Sequence, residues 1–129
     1  MNTTTDFQKQ QIMECYERLR KFVSDMDIED ENVYYDIRNM IEVKKIALPT
    51  AVYEAMMNFM DHDVEPYVFE DTTEIFSEEE AKRNEKGIVE IKSEQAFQKL
   101  MVRFMEKLSE LDEKIEAFAE RELKPYLEG

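Results

Sequence analysis

From Ile46 to Ala81 the chain contains no lysine and no arginine. Ten of its 31 acids fall in that stretch: Glu54, Asp61, Asp63, Glu65, Glu70, Asp71, Glu74, Glu78, Glu79 and Glu80. The rest holds 21 acids against all 17 bases, so most of the net charge of −14 is local. Such a surface repels a nucleic-acid backbone, whose phosphates need clustered Lys and Arg. The compact basic group near the start, Arg18, Arg20 and Lys21, has Glu14 and Glu17 beside it and reads as ordinary helix-surface charge. A field of one sign attracts partners of the other and speeds their encounter.

Glycine and proline are almost as scarce, at two and three residues in 129. Tight turns between short strands need them, so a few long helices are favoured. Cys15 stands alone, which excludes an internal disulfide and gives no reason to invoke an oxidising compartment. No apolar run approaches the length of a membrane span, and the first residues have neither a basic segment nor an apolar core. The expectation is a cytoplasmic protein.

The scarcity extends to catalytic groups. His62 is the only histidine, which removes every site built on two imidazoles. No Gly-x-Ser-x-Gly turn presents a serine, and two glycines cannot build a phosphate-cradling loop. Cys15 lies on an apolar helix stripe, where a buried small hydrophobe is the ordinary reading. Asp61-His62-Asp63-Val64-Glu65 resembles the opening of a calcium loop, yet Pro66 stands where glycine is wanted and Thr72 where the closing Glu belongs. Di-iron bundles need Glu three residues before His, and Phe59 occupies that place. Neither an enzyme nor a cofactor or metal protein is expected.

What is present is helical periodicity. Ile12, Tyr16, Leu19, Val23 and Met26 step by four and three, predicting a helix over about 6–27. After the acidic break at Asp27–Glu31, Asn32 caps a second helix carrying Tyr34, Ile37 and Ile41. Thr50 caps a third with Val52, Met56, Phe59 and Met60 inward, and Pro66 limits its length. Met57 points away from that face and is the methionine expected outside the core. Ser77 and Glu80 form a capping-box pair opening a short helix that Gly87 closes. Ile88–Ile91 reads as loop or edge structure for want of a second strand. Phe97, Met101, Phe104, Leu108, Leu111, Ile115 and Phe118 alternate four and three without interruption, with Ser93 as cap. About 30 such residues make a rod of roughly 45 Å. No internal repeat of fixed period is visible.

The prediction is therefore an all-α, single-domain, bundle-like fold of four or five helices over residues 1–129. Residues 1–5 are expected to be disordered, 61–92 an irregular acidic connection and 93–123 a long final helix. Two functions fit. In the first, the chain is a non-catalytic inhibitor or sequestering protein, of immunity, antitoxin or phage-inhibitor character. It would occlude a basic, nucleic-acid-binding surface of a partner protein without touching nucleic acid or membrane itself. Asp61, Asp63, Glu65, Glu70, Asp71 and Glu74 would supply charge, with Tyr67 and Phe69 as anchors. In the second, it is an assembly adaptor or chaperone that forms a homodimer through residues 93–123.

Overall fold

Helix α1 spans Asp6–Ser24 and opens on a capping box. The Gln8 N–H donates to the Thr5 hydroxyl oxygen at 3.1 Å, and the Thr5 N–H donates to Gln8 Oε1 at 3.0 Å, satisfying two otherwise orphaned donors. Thr5 therefore belongs to ordered structure, contrary to the expectation for the first five residues. In the computed structural model the described residues are 4–71, 81–83, 85–86, 89–91 and 93–128.

α1 ends at Ser24, three residues before the predicted boundary, in a two-bond terminating turn. The Met26 N–H donates to the Val23 carbonyl at 3.0 Å and the Asp27 N–H to the Phe22 carbonyl at 3.1 Å. That closure places Met26 in the left-handed region with φ 62°, where glycine is the usual occupant. Met26→Gly should raise stability by about 1 kcal/mol by removing the Cβ penalty, read as a higher urea midpoint with an unchanged slope.

Helix α2, Glu31–Val43, is capped by Asp30 and not by Asn32. The Asp30 carboxylate accepts from the Asn32 and Val33 amides at 2.9 and 3.2 Å, which puts the cap two residues earlier than predicted. A short 3₁₀ turn, Lys45–Ala47, leads to α3, Thr50–Phe59, where Pro49 takes the cap position and Thr50 is the first helical residue.

The helix does not stop before Pro66. Met60–Val64 forms a π-helical turn and Glu65–Val68 continues as α4. The Glu65 N–H donates to the Met60 carbonyl, five residues back. Proline lacks the amide an α-helix needs and its ring collides with the carbonyl four back. The wider turn just ahead of Pro66 accommodates both defects. The expected irregular connection at 61–68 is thus helical.

The same device recurs at the C-terminus. Helix α5 spans Glu94–Phe118, a π-helical turn covers Ala119–Leu123, and α6 runs Lys124–Glu128 across Pro125. The Lys124 N–H donates to the Ala119 carbonyl, again five residues back. Set in register, Phe59-Met60-Asp61-His62-Asp63-Val64-Glu65-Pro66-Tyr67-Val68 matches Phe118-Ala119-Glu120-Arg121-Glu122-Leu123-Lys124-Pro125-Tyr126-Leu127. Two copies define no running period, so a search for periodic repeats passes over them. Equivalent residues meet: the Phe59 and Phe118 rings stack with centroids 4.4 Å apart and planes 19° apart. Tyr34 and Arg38 of α2 bond to Met60 and Asp61 in the first copy, and Tyr16 and Arg20 of α1 bond to Glu116 beside the second.

The fold is all-α and bundle-like with a long C-terminal helix. It carries one small ribbon, in which β1, Ala81–Arg83, pairs antiparallel with β2, Val89–Ile91. The second strand that the sequence did not announce is thus Ala81–Arg83. A helix running from Ser77 to Gly87 is excluded over those residues, while Ser77, Glu80 and Gly87 themselves lie outside the described residues. The single expected domain resolves into two compact units, residues 1–69 with 108–129, and residues 70–107. The first holds Ile12, Leu19, Phe22, Ile37, Ile41, Val52, Met56, Leu111, Ile115 and Phe118 in its core. Each such side chain contributes roughly 1.5–3 kcal/mol through burial. Among the residues 70–71, 85–86 and 93–107 of the second unit, Ala96 and Lys107 are the buried ones. Ser93 accepts from the Ala96 amide at 3.1 Å and caps α5.

Candidate partner-binding surface

Asp61, His62 and Asp63 all project from the first π-turn. Asp61 is neutralised: Arg38 Nε donates to its Oδ1 at 3.0 Å. Asp63 is half-buried and His62 exposed. Together with Glu54 and Asn58 they border a cavity of about 390 Å³, completed by Arg121 and Glu122 of the second copy. His62 and Arg121 are equivalent positions, as are Asp63 and Glu122, so the two π-turns face this cavity as a matched pair. Arg121 Nε donates to Glu122 Oε1 at 3.0 Å, and among the described residues the cavity's Glu54 and Asp63 have no cation partner. No group of three His, Cys, Asp or Glu among the described residues is placed to hold a metal ion.

Glu65 is exposed and, among the described residues, has no ion-pair partner. It begins α4, and the Phe69 N–H closes that helix by donating to the Glu65 carbonyl at 3.0 Å. Phe69 is 40% exposed and packs edge-on against Tyr35, itself 50% exposed, with centroids 6.1 Å apart. Tyr34 supports both rings from below at 5.2 and 5.6 Å. Its hydroxyl donates to the Met60 carbonyl at 3.2 Å. Burial first, then the Glu65 and Asp61 charges, push the Tyr34 phenol up to about 12.

Tyr67 is not an anchor. It is buried, and Lys114 Nζ lies 5.0 Å from its ring centroid, so it belongs to the core of the first unit. Glu70 belongs to the second unit and is bound there by Arg103, whose Nε donates to Glu70 Oε2 at 2.9 Å, and by Lys107 at 3.7 Å. The Arg103 hydrogen bond is the main cause holding its carboxyl below the ordinary glutamate value. Asp71 is exposed. Glu74 lies outside the described residues. The predicted set is therefore divided: Asp61, Asp63, Glu65, Tyr67 and Phe69 lie in one unit, Glu70 and Asp71 in the other.

Sequence reasoning missed Tyr35. The signal was available, since Tyr34-Tyr35 places two adjacent rings on different sides of one helix and only one can face the core. Met57 is half-buried, while Met56 and Met60 are fully buried, as their shared face predicts. Cys15 is buried, and desolvation pushes its thiol up to about 11, which makes it a poor nucleophile at neutral pH.

No protein-family model, curated protein or solved structure matches this chain. The described helices include none long and apolar enough to cross a membrane.

Proposed function

We propose that this protein is a non-catalytic acidic interaction module that occludes a basic surface of a partner protein. The observation that carries the reading is the contrast between paired and unpaired carboxylates. Glu14 pairs with Lys44, Asp61 with Arg38, Glu70 with Arg103 and Glu116 with Arg20. Glu54, Asp63 and Glu65, all within the base-free run, have no cation partner among the described residues. Unpaired carboxylates clustered in sequence keep a field that paired ones cancel, and such a field acts mainly on association rate. The partner's basic groove, of the kind that holds nucleic acid, would be filled sterically while the carboxylates steer the encounter.

The test is affinity capture with mass spectrometry at about 0.05 and 0.5 M salt, using the wild type and a Glu54→Lys, Asp63→Lys, Glu65→Lys variant. A partner recovered by the wild type at low salt should be lost at high salt and lost with the triple variant, whose circular dichroism stays helical. A partner recovered equally by the folded triple variant would defeat the reading.

The adaptor reading draws support from Phe97, Met101 and Met105, exposed along the first half of α5. Leu108, Leu111, Ile115 and Phe118 of the same stripe are buried within the chain, so the surface left for self-association narrows from 93–123 to about Phe97–Met105. If that surface pairs two copies, sedimentation equilibrium at micromolar concentration gives twice 15.5 kDa, and Met101→Glu returns the monomer. A wild-type monomer removes the adaptor reading.

A further inference from the structure

We propose that Tyr35 and Phe69 form a seat for an arginine side chain of the partner, an inference that rests on the interaction reading above. Three observations converge on this corner of the first unit. The rings are held ready, because Tyr34 is 2% exposed, is tied to the Met60 carbonyl, and contacts both rings edge-on. The support from Tyr34 lowers the entropy cost of binding on this side of the contact.

The seat also lacks a cation of its own. Lys45 lies 5.3 Å from the centre of the Tyr53 ring and Lys114 lies 5.0 Å from that of Tyr67. No cation covers Tyr35 or Phe69 among the described residues. Arg38, one helical turn beyond Tyr35, is engaged by Asp61.

The charge around the rings is negative. Glu65 lies one turn before Phe69 and Glu31 one turn before Tyr35, both exposed and neither with a cation partner among the described residues. Burial is the main cause that raises the Tyr34 phenol, and the Glu65 charge adds to it.

An aromatic face beside a carboxylate suits a guanidinium better than an ammonium. A guanidinium is planar and weakly hydrated, so it stacks on the ring while its N–H fork reaches the carboxylate. A lysine ammonium keeps its water and satisfies only the charge. The preferred occupant is therefore an exposed arginine in a protein segment, and general basicity alone does not fill the seat.

The experiment titrates the ¹⁵N-labelled protein with two blocked pentapeptides, Gly-Arg-Gly-Arg-Gly and its lysine counterpart, and follows amide shifts by NMR. The arginine peptide should shift the Tyr35 and Phe69 amides and bind at least about threefold more tightly than the lysine peptide. Phe69→Leu with Tyr35→Leu keeps apolar volume without a π face and should abolish that preference. Glu120→Gln, in the second π-helical turn, should leave it intact. Equal affinities for the two peptides, or a preference that survives the double leucine variant, overturns the arginine seat. Salt-sensitive binding of both peptides would in that case leave the acidic-module reading standing, so the two failures are distinguishable.

Discussion

Phe118→Ala should cost about 3–5 kcal/mol of stability in the first unit. Phe118 is 2% exposed and stacks on Phe59, so truncation removes buried apolar area and leaves a cavity against a ring that has lost its neighbour. A domain of this size is stable by only about 5–15 kcal/mol in total, so the variant should unfold at markedly lower urea. Phe59→Ala should behave alike, and the double-mutant cycle should show a coupling of about 0.5–1.5 kcal/mol for the stacked pair. Phe97→Ala supplies the contrast. Phe97 occupies the same four-three stripe but is 51% exposed, and its loss should stay within about 0.5 kcal/mol. Equal losses at Phe97 and Phe118 would mean that the whole stripe is buried, as the sequence pattern alone suggests.

That contrast marks where sequence reasoning holds and where it stops. The stripes on α1, α3 and the second half of α5 are legible because period alone places Leu19, Met56 and Ile115 inward. Period cannot say which half of a uniform stripe finds a partner, since Phe97 and Phe118 satisfy it equally. Pro66 announces a break, whereas the compensation lies in an amide reaching five residues back, which no side chain signals. The acidic run is legible as charge, but its cancellation is not. Arg38 lies 23 positions before Asp61, and Arg103 lies 33 positions after Glu70. Tyr67 and Phe69 look equivalent in sequence. They separate only because α4 turns Tyr67 inward and ends before Phe69.

Glu70→Gln should destabilise the second unit by about 2 kcal/mol at neutral pH, and this loss should vanish in acid. Glu70 accepts two hydrogen bonds from Arg103 Nε, at 2.9 and 3.2 Å, and faces Lys107, whose side chain is 1% exposed. Removing one charge from a fully buried pair costs about 3–5 kcal/mol. Glu70 and Arg103 remain about a quarter exposed, and solvent screening lowers the figure accordingly. The Arg103 hydrogen bond, outweighing desolvation, holds the folded Glu70 carboxyl below its ordinary value of 4.5. A depressed folded pKa gives stability that is fully present above the unfolded value. That stability is lost as pH falls through the lower folded one. Glu116, lowered by the Tyr16 and Arg20 hydrogen bonds, adds a loss of the same sign in the first unit. Protection of the Glu94–Lys107 amides, taken relative to their intrinsic exchange rate at each pH, should therefore fall below about pH 4.5 in the wild type. In Glu70→Gln that protection should already be low at pH 7 and change little with acid. Exchange rates in Glu70→Gln that match the wild type at pH 7 would show that the cluster contributes nothing to the stability of this unit.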